Sequence, residues 1–347
     1  MPILEVRPSE MTAMEELAPA AKDALLSHIT LKPWLTAHHL EAVTARVEAA
    51  VGHRPVIIDI TRETYSHLET RRPVHDALDA LRDPTAGYRN FIDFIEENEN
   101  FVPSLQLATL AELPRQIRHA HDLGRGMVFV LNEQMFGAST LIAQQLKEIE
   151  DQSSIYFILD YRQQNRELLA RAAGAISIVN GIREILPGCF ISVSASTFPS
   201  TFVGVAEQPI FERRFYDEVV RQIGQQNIIY SDRGSVREER QRGGSGQPAP
   251  RIDNAAPQNW YFFREDDNDF DRDVLFQRAA ARAIRSPAWD NLGIWGTNQI
   301  ITTANGGAAI ISAQRSTAVR INIHLYRQTN FGIELPPPGS NEDEWTD

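Results

Sequence analysis

Four largely apolar runs constrain this chain more than any other feature. They are Pro55 to Ile60 (PVIIDI), Gly126 to Asn132 (GMVFVLN), Ser154 to Asp160 (SIYFILD) and Phe190 to Ala195 (FISVSA). The first three read as strands buried on both faces, and FISVSA as a further strand of the series. Segments with helical spacing separate them, so the strands are expected to run parallel in a sheet covered by helices.

Four weaker runs extend the series: Pro2 to Val6 (PILEV), His28 to Lys32 (HITLK), Phe101 to Leu107 (FVPSLQL, weakened by Pro103) and Asn227 to Asp232 (NIIYSD). Helices are expected after Ser9, in the run ending at Gly52, over Val74 to Leu81, Tyr88 to Glu96, Leu110 to Leu123, Ser139 to Glu150, Gln163 to Ile185 and Pro209 to Ile223. About eight strand-then-helix units predict a TIM-like (β/α)8 barrel, a fold of about 250 residues, with an added C-terminal layer of β-ribbon and helices. An open doubly wound sheet also alternates in this way. The closed barrel is preferred because the unit count matches and no glycine-rich phosphate fingerprint follows the first strand. The GxG at Gly124 to Gly126 precedes a strand instead.

The expected organisation is a barrel core over residues 1–236, a flexible loop at 237–250 (REERQRGGSGQPAP), a C-terminal addition packed on the barrel at 251–332, and a disordered acidic tail at 333–347. Within the addition, Trp260 to Arg264 is strand-like, Val274 to Ile284 is helical, and Ser316 to Tyr326 suits a strand or a helix. The formal charge of −12 argues against a general grip on nucleic-acid backbone. The single cysteine, Cys189, allows neither an intrachain disulfide nor a multi-cysteine zinc site, which fits a reducing, cytosolic compartment. The opening PILEVRPSE lacks the order of a signal peptide, and no run approaches the ~20 apolar residues of a membrane span.

In a barrel of this type, functional groups project from the C-terminal ends of the strands. Those ends carry Glu5 and Arg7, Lys32, Asp59, Gln106, Asn132 with Glu133, Asp160 with Arg162, Ser194 with Ser196, and Tyr230 with Asp232 and Arg233. Mixed charges at one mouth would pair and shift one another's pKa values, in an active site or in a structural network alike. Glu5, Lys32, Asp59, Asp160 and Asp232 are the catalytic candidates. Asp59, Asp160 and Asp232 are oxygen ligands that suit a divalent metal of the magnesium type. The turn Ser194 to Pro199 (SASTFP) offers hydroxyls and N–H groups to a phosphate-like anion, with Arg213 or Arg214 on the next helix; a hydroxyl-stabilised turn is the alternative. His38 and His39 begin a helix, and His119 and His121 fall on different helix faces. His324 lies in Arg320-Ile321-Asn322-Ile323-His324, whose alternation would set Arg320, Asn322 and His324 on one face of a strand. A packing role suits His324 equally. There is no nucleophile elbow, Walker loop, HExxH or cysteine–histidine pair.

Several phrases together, PILEVRPSEMTAMEEL, IIDI, SVSASTFP, IIYSDRG, PRIDNAAPQNWYFFR, IWGTNQI and AVRINIHLYRQ, resemble the beta protein family across nearly the whole chain. The resemblance associates that family with a T-even phage protein and with relatives in bacteria and phages. It implies an eight-stranded barrel and a phage or mobile-element setting, and brings no settled activity. Two departures stand out: Ser231 occupies the place of an expected glycine before Asp232, and His324 stands without a second histidine.

Three functional expectations follow. The first is a component of a phage–host conflict system, binding a small anionic or nucleotide-like ligand, or a phage or partner protein, at the mouth. Arg7, Lys32, Asp59, Arg162, Ser194, Ser196, Tyr230, Asp232, Arg251 and His324 are its candidate binding residues. The second is a metal-assisted phosphodiester-type hydrolase using the same carboxylates. The third is a non-catalytic scaffold docking a protein of the same operon.

Overall fold

The structure, a computed structural model, describes residues 1–65, 67–234, 248–267 and 269–334. The flexible-loop expectation falls almost wholly, and the tail expectation largely, outside those residues. Strands in chain order are β1 (Ile3–Glu5), β2 (Ser27–Leu31), β3 (Val56–Ile60), β4 (Phe101–Pro103), β5 (Met127–Asn132) and β6 (Ile155–Gln163). They continue with β7 (Phe190–Ser196), β8 (Glu207–Pro209), β9 (Ile228–Tyr230), β10 (Arg251–Ala255) and β11 (Asn259–Arg264). Twelve α-helices accompany them among the described residues.

The chain divides into two compact units. The first contains Met1–Arg7 and the described parts of Leu26–Phe198 and Phe211–Glu239; the second contains Pro8–Leu25, Pro199–Ile210 and the described part of Arg240–Asp347.

In the first unit every strand pair is parallel. One sheet has the order β1-β2-β3-β4 and the other β5-β6-β7-β9. The strands thus pair as two four-stranded ladders, not as one continuous ladder of eight. Single parallel bridges, Ser104 to Val128 and Pro2 to Asp232, connect the edges of one sheet to those of the other. The Leu105 N–H donates to Val128 O at 2.8 Å and the Ile3 N–H to Asp232 O at 2.7 Å.

Alternate residues of a strand point to opposite faces. On one face Ile3, Ile57, Val102, Val128 and Ile158, drawn from both sheets, form a single buried apolar cluster. The other face of the second sheet, with Phe129, Leu131, Phe157, Leu159, Ile191 and Val193, packs against Ile117, Ile142, Val179 and Val219 of the helices. Burial on both faces is what the continuous apolar runs predict. The helices Glu41–Val51 and Leu113–Leu123 end at Gly52 and Gly124, both with φ of 69°, a conformation that costs glycine least.

Several boundaries depart from expectation. β4 stops at Pro103, which has no N–H to give on the β5 side, although the Ser104 N–H beyond it still donates to Ile58 O at 2.9 Å. The long helix expected from Gln163 is replaced by the end of β6, a 3-10 turn at Arg166–Arg171 and a helix at Ala172–Arg183. The ladder between β6 and β7 shifts register between Asp160 and Gln163, and Arg162 takes a left-handed φ of 57° there.

In the second unit β10, β11 and β8 form an antiparallel ribbon, and the helix Arg272–Ile284 packs against it. The stretch open to a strand or helix reading is the helix Ala313–Thr329. It is buried on most sides, so apolar residues show no single helical stripe and the sequence mimics alternation. Asn322 therefore faces away from Arg320 and His324: it accepts the Gly296 N–H at 3.0 Å and donates to Ala13 O at 3.0 Å.

Candidate functional site: a polar layer at the strand ends

The register of the two sheets assembles the site. Ile3 pairs with His28 and His28 with Ile57, so His28 shares the face of the apolar cluster. One step along, Glu5, Thr30 and Asp59 are aligned on that face. In the second sheet Asn132, Asp160 and Ser194 are aligned in the same way. Ser192 pairs with Ile229, which sets Ser231 and Arg233 on this face as well. An apolar floor thus gives way to a polar layer toward the C-terminal ends of the strands.

Three charged groups organise the layer. Lys32 Nζ lies 3.0 Å from Glu5 Oε2 and 2.6 Å from Glu63 Oε1, and Arg7 Nη2 lies 2.5 Å from the same Glu5 oxygen. Asp59 Oδ1 accepts the Ile60 N–H at 2.7 Å and Gln106 Nε2 at 3.1 Å. The loop carrying Gln106 is held in turn by fully buried Gln116, which accepts the Gln106 N–H and donates to its carbonyl, both at 2.8 Å. Asp160, almost fully buried, receives the Arg233 guanidinium on Oδ2 and the Arg162 N–H on Oδ1 at 3.0 Å.

His28 stands among them. It is 2% exposed, its Nε2 is 3.8 Å from Asp59 Oδ2, and neither ring nitrogen has a hydrogen-bond partner in the protein. Burial pushes its pKa below the usual 6.5; Asp59 and then Asp160 oppose that shift, and Arg233 adds to it. Asp59 belongs to the same sheet as His28, whereas Asp160 and Arg233 come from the second sheet and its edge, so both sheets act on one imidazole. The hydroxyls of Ser194 and Ser231, each 1% exposed, also lack a hydrogen-bond partner, as does that of Ser192.

Asp232 is not part of this layer. With Tyr230 it faces the opposite way, because Ile229 takes the shared face. Its Oδ2 accepts the Tyr230 hydroxyl at 2.5 Å, its Oδ1 accepts the Gly234 N–H at 2.7 Å, and the Arg213 guanidinium lies 3.4 Å over the Tyr230 ring. Burial, reinforced by Asp232, raises the Tyr230 pKa far above 10. Asp59, Asp160 and Asp232 are therefore not brought together as one metal-ligand set. Among the described residues no group of three or more His, Cys, Asp or Glu is arranged to hold a metal ion.

The turn after β7 has a hydrogen-bond acceptor of its own. The buried Glu212 carboxylate accepts both the N–H and, at 2.7 Å, the hydroxyl of Thr197, donors that the sequence offers to a phosphate. Arg213 is engaged with Tyr230, and Arg214 lies over Phe211. Burial raises the Glu212 pKa above its usual value. Arg251 and His324 belong to the second unit. Arg251 and Arg320 both bind fully buried Asp253, with Arg251 3.3 Å over the Phe202 ring, and His324 stacks on Trp260 at 4.7 Å.

Sequence reading missed His28 and Ser231 as site residues. The available signal was parity: in HITLK, His28, Thr30 and Lys32 interrupt an otherwise apolar strand at every second position, which marks one face as polar.

Parallel sheets under helices, carrying a buried polar layer at the strand ends, define an α/β protein whose candidate site is the C-terminal edge of its sheets. The chain belongs to the beta protein family, whose sequence model, described as "Beta protein", matches residues 1–330. It is 27% identical over 354 aligned positions to "Protein beta" of Enterobacteria phage P4, covering 99% of this chain and 96% of that protein. That relative comes from phage P4, not from a T-even phage. No solved structure matches the chain. Among the described residues, no helix is long and apolar enough to cross a membrane.

Proposed function

We propose that the protein acts in phage–host conflict as a ligand-binding α/β barrel, taking a small polar, nucleotide-like ligand at the polar layer. One observation carries this reading: three side chains from β2, β7 and the end of β9, namely His28, Ser194 and Ser231, are at least 98% buried and have no hydrogen-bond partner in the protein. Buried polar groups are nearly always paired, and an unpaired one costs stability, so a cluster of them marks a place built for something else to complete. Homology to a phage protein supports the biological setting.

On this reading the eight parallel strands close into a (β/α)8 barrel. The bridges at both sheet edges and the apolar cluster shared by the sheets support closure. Arg7, Lys32, Asp59, Arg162, Ser194 and Ser196 then border the mouth, while Tyr230 and Asp232 brace the wall from behind.

Thermal denaturation with a panel of nucleosides, nucleotides and nucleobases tests the reading. Stabilisation by one of these compounds that disappears in a Ser194→Val, Ser231→Val variant supports it. A variant that keeps full protection against phage in cells while losing all binding would sink the connection between this layer and conflict.

A further inference from the structure

We infer that the group recognised at the polar layer is a planar N–H donor edge of the amidine type, found in guanidinium compounds and amino-nucleobases, and that Asp59 is its acceptor. This inference rests on the ligand-binding reading above and narrows it, because it disfavours the bare anion that strand-end cations suggest.

The argument is one of charge balance. Each cation seen on the layer already has a carboxylate: Lys32 has Glu5 and Glu63, Arg7 has Glu5, and Arg233 has Asp160. The register shift takes Arg162 out of the strand alternation. An incoming phosphate would compete with these built-in carboxylates and be repelled by those it failed to displace.

Asp59 is in the reverse position. Its Oδ1 is fixed by two N–H donors, so the carboxylate cannot swing away. Its Oδ2 has His28 Nε2 at 3.8 Å as its neighbour, and burial disfavours the charged form of that ring. The Asp59 side chain is 18% exposed, the least buried group of this set. A held carboxylate oxygen accepts N–H donors, and the adjacent imidazole donates or accepts according to its tautomer. Ser194 and Ser231 supply hydroxyls that turn to suit a partner. A flat edge satisfies this set, with N–H donors for Asp59 and, in an amino-nucleobase, a ring nitrogen beside them to accept from the imidazole, whereas phosphate offers acceptors to an acceptor.

The test is calorimetric titration of the full-length protein with benzamidine, adenosine, cytidine and inorganic phosphate. Four forms are compared: wild type, Asp59→Asn, His28→Gln and Ser194→Ala. Asp59→Asn keeps an oxygen for the Ile60 and Gln106 donors, and urea midpoints confirm that each variant is folded. The expected result is binding of at least one amidine-edge probe, weakened about tenfold or more by Asp59→Asn, since a hydrogen bond to a charged group is at stake. Benzamidine against the two nucleosides separates a guanidinium-type ligand from a nucleobase. Phosphate binding that Ser194→Ala weakens and Asp59→Asn leaves unchanged overturns this inference but leaves the ligand-binding reading standing. Binding of no probe, or only binding that none of the three substitutions alters, overturns both.

Discussion

Removing the Ser194 and Ser231 hydroxyls should make the unliganded protein more stable, the reverse of what most core substitutions do. Both side chains are 1% exposed, and neither hydroxyl has a partner in the protein. A hydroxyl buried without a hydrogen bond costs about 1–3 kcal/mol by mutational measures, and alanine keeps the Cβ contacts while deleting that cost. Allowing for the dispersion contacts of the lost oxygen, each Ser→Ala substitution should contribute about 1 kcal/mol, and the pair about 2 kcal/mol. The two residues occupy neighbouring strands, so departure from additivity by about 0.5 kcal/mol or more is expected if they influence each other. Urea unfolding followed by far-UV circular dichroism measures this as a higher midpoint at an unchanged m-value. Thr197→Val is the internal control: its hydroxyl donates to Glu212 at 2.7 Å, so it should destabilise by about 1–3 kcal/mol. If the serine variants lose more than about 0.5 kcal/mol, their hydroxyls are satisfied without a ligand and the site loses its principal support.

Further outcomes follow from the same geometry. Arg233→Ala leaves the buried Asp160 carboxylate without its cation and should cost about 3 kcal/mol in urea unfolding, part of which Asp160→Asn restores in the double variant. Because burial holds the folded His28 pKa below 6.5 while the unfolded chain protonates near that value, the unfolded state binds more protons between the two. Stability should therefore fall as pH drops from about 7 toward the folded pKa, by up to ~1.4 kcal/mol per pH unit, and His28→Leu should flatten that slope in pH-dependent unfolding. Cys189, whose thiol is pushed up to about 12 by burial, should resist alkylation in the native protein at pH 8 and react in urea, as read by mass spectrometry.

Much of the strand order was legible because the strands are short, apolar and separated by helices. Strands of that kind have few ways to pair other than in parallel. The strand-end charges were legible too, since Glu5, Lys32, Asp59 and Asp160 occupy the positions where each run ends. What the sequence left open was which way each residue points. Asp232 looks like a mouth residue by position, but one step of parity from Ile229 turns it outward to Tyr230 and Arg213. Glu212 shows a different limit: it is an unremarkable residue at a helix start, and only the chain's return brings its carboxylate to Thr197, 15 residues away in sequence. The Ala313–Thr329 helix was ambiguous because packing on most sides removes the polar stripe by which a surface helix is recognised.

The division of the chain carries a consequence for inheritance. The polypeptide passes between its two units five times, and Asn322 near the C-terminal end of the described chain holds the carbonyl of Ala13. No single cut releases either unit: a fragment ending at residue 239 keeps Pro8–Leu25 and Pro199–Ile210 but lacks the segments they pack with. Such an interleaved chain cannot be shuffled between genes as a module, and recombination within it leaves both parts incomplete. A family match that runs unbroken over residues 1–330 fits inheritance of the two units together.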